Sequence, residues 1–379
     1  MKRTVLCLAI LLSLQSPAAA GDGPTLRAML GQMLLVGFRG AELDADAPIL
    51  RDVREHGLGG VILFDRDVRL QTSGRNIRNP EQVRALTARL QAEAEIPLFV
   101  AVDQEGGRVR RLREEAGFPF SPSAKAMGQR TPDETRQEGE RTGQLLAGLG
   151  INLDFAPVAD VDVNPTSPAI GALERSFSAD PEAVAAHALA FSRGLRSRGV
   201  LPCLKHFPGH GSAMADSHLG LTDISRTWSP AELIPYERLI PLEASPLIMC
   251  GHLFLERFDA DHPATLSPAV LTGLLRERLG FAGVIVSDDM QMRAVTAHYG
   301  LEEAVLRAVE AGVDILVFGN NLDYDPDIVP KAVDILVRGV DSGRLSRQRI
   351  ETSFERIRKA KALLAAPSGA ARESTGGRS

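Results

Sequence analysis

Cysteine is scarce in this chain, with three in 379 residues. That excludes a disulfide framework of the kind that staples small secreted domains. Cys7 sits in the N-terminal segment, while Cys203 and Cys250 lie inside apolar, strand-like runs. These two are expected to be buried free thiols, with a bridge between them as the alternative. An excess of either charge is also missing: 43 Lys and Arg face 48 Asp and Glu, a formal charge of -5. A mildly acidic chain offers phosphate backbones no electrostatic footprint, so no nucleic-acid partner is expected. Arg108, Arg110, Arg111 and Arg113 are expected to form a solvated face or a local anion site. Beyond the N-terminus no stretch is long and apolar enough to cross a membrane. No Pro/Ser-rich linker marks a second domain, and no repeat of solenoid length is present.

The N-terminus stands apart. Lys2 and Arg3 precede the apolar run Val5 to Leu14, and Pro17-Ala18-Ala19-Ala20 follows. A charged start, an apolar stretch and a small-residue cleavage site read as an export signal over residues 1–20, with an uncleaved anchor as the alternative. The mature protein is therefore expected to be exported, periplasmic or secreted. Residues 21–366 read as one domain and 367–379, lacking core-forming residues, as a disordered tail.

Eight short apolar runs recur: Met33–Phe38, Gly60–Phe64, Pro97–Val102, Asn152–Phe155, Val200–Leu204, Leu247–Cys250, Gly283–Val286 and Asp314–Phe318. They are continuous rather than alternating, which suits parallel strands covered on both faces. Helix signals fall between them. Asn79-Pro80-Glu81, Thr131-Pro132-Asp133-Glu134, Asp180-Pro181-Glu182, Ser229-Pro230-Ala231-Glu232 and Ser267-Pro268 each open a helix, and 301–310 and 329–340 supply two more. Eight β-then-α units imply an α/β, single-domain (β/α)8 TIM-type barrel; a doubly wound open sheet is the alternative.

A barrel places its active site at the C-terminal ends of the strands. The residues there are Asp103 after strand three, Lys205 and His206 after strand five, and His252 after strand six. Asp288 follows strand seven, and Asn320 and Asn321 follow strand eight. Asp288 and Asp289 are adjacent on a strand and should point to opposite sides, so one should enter the mouth. Asp288 is the candidate nucleophile, and Asp289 suits a helix N-cap. The Gly- and Pro-rich stretch from Lys205 to Gly211, followed by Asp216-Ser217-His218, is expected to be a loop. An aspartate that holds an imidazole fixes its tautomer, so Asp216 and His218 form a candidate acid/base pair. His206, His210, Asp216 and His218 could instead ligate zinc, but Pro208 and Gly209 oppose the helix that such spacing normally uses. Asp103-Gln104-Glu105-Gly106-Gly107-Arg108 lacks the Lys-Ser/Thr of a phosphate loop. No cofactor and no metal are expected. Asp103 suits sugar hydroxyls, with a turn or cap role as its alternative.

Lys205-His206-Phe207-Pro208-Gly209-His210-Gly211 with Asp216-Ser217-His218 resembles the signature of glycoside hydrolase family 3 β-N-acetylglucosaminidases. Val102 to Val109, Glu174-Arg175-Ser176-Phe177, His262-Pro263-Ala264-Thr265 and Ser287-Asp288-Asp289-Met290 agree with it. The resemblance spans about residues 26–363. It implies a retaining mechanism, with Asp288 as nucleophile and His218, paired with Asp216, as acid and then base. It implies that Asp103, Arg175, Lys205 and His206 bind the sugar. The implied substrate is terminal GlcNAc on peptidoglycan fragments or other oligosaccharides, handled by a monomeric chain. A phosphorylase is the alternative, because a neutral imidazole repels phosphate less than a carboxylate does. A zinc hydrolase and an exported sugar-binding protein are further alternatives. Many small members of this branch are cytoplasmic, whereas this chain carries the export pattern. Larger members add a domain after the barrel, and here none is expected.

Overall fold

The computed structural model describes residues 24–215, 220 and 222–364. The expected export signal, the expected tail, and Asp216 and His218 lie outside the described residues. Eight parallel strands close into a barrel, and every apolar run named above supplies one of them. They are β1 Leu34–Gly37, β2 Gly60–Ile62, β3 Phe99–Val102 and β4 Leu153–Asp154, then β5 Leu201–Phe207, β6 Leu247–Cys250, β7 Val284–Asp289 and β8 Ile315–Phe318. Each strand pairs with its sequence neighbours, and β1 closes the ring on β8 through Leu34↔Leu316 and Val36↔Phe318. Each core strand is apolar on both sides because its residues face either the barrel interior or the helical ring.

The ring helices start where local chemistry starts them. Asn79 accepts the N–H of Gln82 ahead of helix Pro80–Ala92, with proline in the first turn. Thr131 and Glu134 form a reciprocal capping box ahead of Pro132–Gly148, and Asp180 caps Pro181–Arg196. Such caps contribute about 1 kcal/mol each. Ser229 and Glu232 also form a box, opening a short 3-10 turn that runs into helix Ile234–Leu239. Four helices escape a sequence reading: Leu26–Gln32, Pro48–His56, Ala124–Gly128 and the C-terminal Arg347–Ala362; of these Pro48–His56 has no side-chain cap, whereas Thr25, Ser123 and Ser346 cap the others. Cys203 and Cys250 are buried free thiols.

One expectation needs correction. Lys205, His206 and Phe207 do not open a loop; they complete β5, buried throughout. The peptide bonds Lys205–His206 and Phe207–Pro208 are cis. Against β6 the register shifts, with Ile248 opposite Leu204 and Cys250 opposite Phe207. Two steps on β6 therefore match three on β5, so the extra residue is a bulge.

Candidate active site

The bulge has a chemical result. Consecutive strand residues normally face opposite sides, yet Lys205 and His206 both border one cavity at the C-terminal mouth of the barrel. The same happens on β7. Its register against β8 shifts between Val286 and Asp289, and both Asp288 and Asp289 border the cavity. The expectation that only one of them enters the mouth is thus corrected. Asp289 is no helix N-cap either, since Met292 holds that position. Asp289 Oδ1 accepts the N–H groups of Gln291 (3.0 Å) and Gly319 (2.9 Å), which ties the end of β7 to β8. Asp288 is half-buried, and its Oδ1 accepts the Asp289 N–H at 2.8 Å.

The cavity holds about 370 Å³, within the range of small-molecule sites. It gathers Asp103, Arg175, Lys205, His206 and Asp288, five of the seven candidate residues. The Lys205 ammonium lies 2.8 Å from Asp103 Oδ1 and 2.6 Å from Glu105 Oε1. Arg175 grips Glu105 with two parallel bonds, Nε at 2.8 Å and Nη2 at 2.7 Å, and reaches His206 Nε2 at 3.3 Å. Arg111 donates to the second oxygen of Asp103 at 3.0 Å. His206 Nδ1 lies 2.7 Å from Asp160 Oδ2, a fully buried carboxylate. With Nδ1 donating to Asp160, Nε2 is the nitrogen that accepts from Arg175.

The electrostatics follow from this mesh. Burial alone would raise Asp103, but Lys205 and then Arg111 hold its carboxyl well below the usual range. Burial likewise opposes the ionisation of Glu105, and Arg175 and Lys205 overcome it. Burial would lower Lys205, yet Asp103 and Glu105 keep it charged. Asp103 and Lys205 are therefore fixed as an acceptor and a donor at neutral pH. Charge-assisted bonds of this kind are stronger than neutral ones and suit a polyhydroxylated ligand.

Sequence reasoning missed Glu105 and Asp160, and left Arg111 between a solvated face and a local anion site. Glu105 sits in the Gly-rich stretch, where a short hairpin, Gln104–Gly106 with Val109–Arg110, turns it inward. Gly106 has φ +91, and a Cβ there would fall 2.0 Å from the carbonyl oxygen of Pro122. Its glycine thus serves a tight turn rather than a phosphate cradle. Arg111 and the more exposed Arg113 both border the cavity, paired to Asp103 and Asp65. His252 stands at the end of β6 as expected. Its ring bridges Thr265 Oγ1 and the carbonyl of Asp289, so it braces β7. Asn321 accepts the N–H of Val68 and holds a rim loop.

The family model of the glycosyl hydrolase family 3 N-terminal domain matches residues 25–360. The chain belongs to glycosyl hydrolase family 3. It is 36% identical over 345 residues to the β-hexosaminidase LpqI of Mycobacterium tuberculosis, covering 87% of this chain and 81% of LpqI. It is 39% identical over 296 residues to a β-hexosaminidase of Tolumonas auensis, covering 76% of this chain and 83% of that one. A solved family 3 β-N-acetylglucosaminidase from Paenibacillus sp. str. FPU-7 superimposes with a TM-score of 0.83 at 34% identity, covering 94% of this chain. This chain spans 65% of that protein's length.

Proposed function

We propose that this chain is a retaining exo-β-N-acetylglucosaminidase acting through a covalent glycosyl-enzyme on Asp288. The enzyme class is a glycoside hydrolase of the β-N-acetylhexosaminidase type, the activity named for its relatives. The observation that carries the finer reading is the cavity. Four sugar-binding candidates, Asp103, Arg175, Lys205 and His206, share it with Asp288 at the mouth of the barrel.

In the first step an Asp288 oxygen bonds to the anomeric carbon as the C1–O bond breaks, and His218 gives its proton to the departing oxygen. In the second, His218 takes a proton from water, the hydroxide bonds to C1, and Asp288 leaves as carboxylate. Asp216 orients His218. Lys205, Asp103 and His206 hold the ring hydroxyls, and Arg175 keeps Glu105 and His206 in register. The substrate is terminal β-linked GlcNAc on a peptidoglycan fragment or another oligosaccharide, met after export.

The test is release of p-nitrophenol from its N-acetyl-β-glucosaminide in phosphate-free buffer with EDTA, with Asp288→Asn alongside. Release by the wild type alone supports the reading. Release only on adding phosphate, with a sugar phosphate as product, replaces it by a phosphorylase. Release only on adding zinc replaces it by a metalloenzyme.

A further inference from the structure

Asp154 ends β4 and is fully buried, outside the residues that line the cavity. Its Oδ1 accepts the Gln104 N–H at 2.9 Å. Gln104 is buried too, and its Oε1 accepts the N–H groups of Arg111 at 3.1 Å and Leu112 at 3.0 Å. Asp154 therefore tethers the start of the hairpin Gln104–Gly106 with Val109–Arg110, and Gln104 ties that start to the chain just past its end. Asp103 and Glu105 flank the tethered amide in sequence, and Arg111 follows the second strand. Those three side chains belong to the ion-pair mesh around Lys205. The other oxygen of Asp154, Oδ2, meets no hydrogen-bond donor among the described residues. A buried carboxylate needs donors or a cation against it. The ammonium of Lys205 is already held by Asp103 at 2.8 Å and Glu105 at 2.6 Å. A neutral acid avoids that conflict, and its carbonyl oxygen still accepts from Gln104.

We propose that Asp154 is a positioning residue that holds the sugar-gripping hairpin as a neutral carboxylic acid, so that its ionisation loosens the grip and sets an alkaline limit on sugar binding. This rests on the reading of Asp103 and Lys205 as sugar ligands and deepens it. The groups facing Asp154 are Asp103 at the end of β3, Glu105 on the hairpin, and Lys205 with Cys203 on β5. Burial keeps the Cys203 thiol neutral. Burial is also the main influence on Asp154 and raises its carboxyl to about 8; the Gln104 N–H and Lys205 pull it down, while Asp103 and Glu105 push it up. Above that value a third carboxylate joins Asp103 and Glu105 around Lys205, and like charges so close repel. The three then compete for one ammonium, and the strain falls on the hairpin, which carries Glu105 and begins beside Asp103.

The experiment measures the affinity of the full chain for GlcNAc by calorimetry from pH 6.5 to 9.5. Wild type, Asp154→Asn and Asp154→Ala are compared, with thermal melting at each pH as the folding control. Steady-state kinetics on p-nitrophenyl N-acetyl-β-glucosaminide run beside it. For wild type we expect affinity to fall roughly 10-fold between pH 7 and 9.5 while the fold stays intact. Asp154→Asn keeps the acceptor for Gln104 and cannot ionise. It should bind within about threefold of wild type at pH 7 and lose the alkaline fall. Asp154→Ala removes the acceptor and should raise KM roughly 10-fold at every pH, more than it lowers kcat. A flat wild-type profile, an alkaline fall that persists in Asp154→Asn, or normal affinity in a folded Asp154→Ala overturns the proposal. If Asp154→Ala does not fold, the profiles of the other two decide. Wild type that binds GlcNAc without turnover sinks the hydrolase reading alone. Wild type that binds no GlcNAc sinks the sugar-site reading, and hydrogen exchange at the Arg111 and Leu112 amides then reads the tether without sugar. Exchange, corrected for its intrinsic pH dependence, should quicken above pH 8 in wild type and not in Asp154→Asn; equal exchange in the two overturns the Asp154 assignment.

Discussion

The two ends of the barrel carry buried ionic clusters built from the same residue types and put to different uses. At the C-terminal mouth, Lys205, Arg175 and Arg111 meet Asp103 and Glu105 around an open cavity. At the N-terminal base, Asp314 precedes β8 and is fully buried. It accepts from Arg276 at 2.5 Å, Ser353 at 2.6 Å, Ile285 N–H at 3.0 Å, Arg356 at 3.2 Å and Arg349 at 3.3 Å. Three of those partners, Arg349, Ser353 and Arg356, lie on the C-terminal helix, which this one carboxylate clamps to the barrel. On the same C-terminal helix Lys361 donates to Gln32 Oε1 at 2.7 Å and to the Gly59 carbonyl at 2.8 Å. Acceptors at the base are filled by protein. At the mouth the same kinds of group border space that a ligand can fill. Buried charge alone therefore does not mark a site, whereas buried charge facing a cavity at the strand C-termini does.

Substitutions can break or sharpen that contrast. Asp288→Asn should give the largest effect, a fall in kcat of at least about a thousandfold. Its melting temperature and its affinity for GlcNAc should stay near wild type, as steady-state kinetics, thermal denaturation and calorimetry would show. Near-normal turnover would remove Asp288 from its role. Asp314→Asn at the base should do the reverse. Leaving three arginines without their anion should cost about 3–5 kcal/mol in denaturant unfolding, while KM of the folded fraction stays unchanged. A raised KM would mean that the two ends are coupled.

Asp103→Asn should be smaller and sit in between. Losing a charged acceptor for a sugar hydroxyl should weaken kcat/KM by roughly 10- to 100-fold. It should also cost some stability, because Lys205 and Arg111 lose a partner. Lys361→Met should be the mildest and invisible to activity. Burial pushes Lys361 down from 10.5 to about 7. Between those values the unfolded chain binds the proton and the folded chain does not, so stability rises with pH across that window. The rise should be at most about 1.4 kcal/mol per pH unit in wild type. It should be missing in Lys361→Met, when unfolding is followed from pH 7 to 10. Identical slopes would show that Lys361 keeps its proton on folding.

The barrel was legible because each strand is a continuous apolar run and most ring helices open on a cap or a proline. Helix Pro48–His56 was not, because its first-turn proline stands without a capping side chain before it. At the site, residues that end strands, such as Asp103 and Asp288, could be read directly. What could not be read was the bulge in β5 and the irregularity in β7. Each turns two consecutive residues toward one cavity, and strict alternation forbids that. Glu105 and Asp160 escaped for a related reason. Their partners, Arg175 and His206, are 70 and 46 positions away. Only the closed fold brings such pairs together. The Gly106-Gly107 pair was a usable signal for the hairpin that turns Glu105 inward.

The most direct test of the central claim is to trap the glycosyl-enzyme. The full chain would be incubated with a 5-fluoro N-acetylglucosaminyl fluoride, whose ring fluorine slows both steps while the reactive leaving group preserves the first. Intact-mass and peptide mass spectrometry would follow. The account predicts a single sugar adduct on the peptide containing Asp288, absent in Asp288→Asn. Turnover with no adduct, or an adduct on another residue, would contradict it.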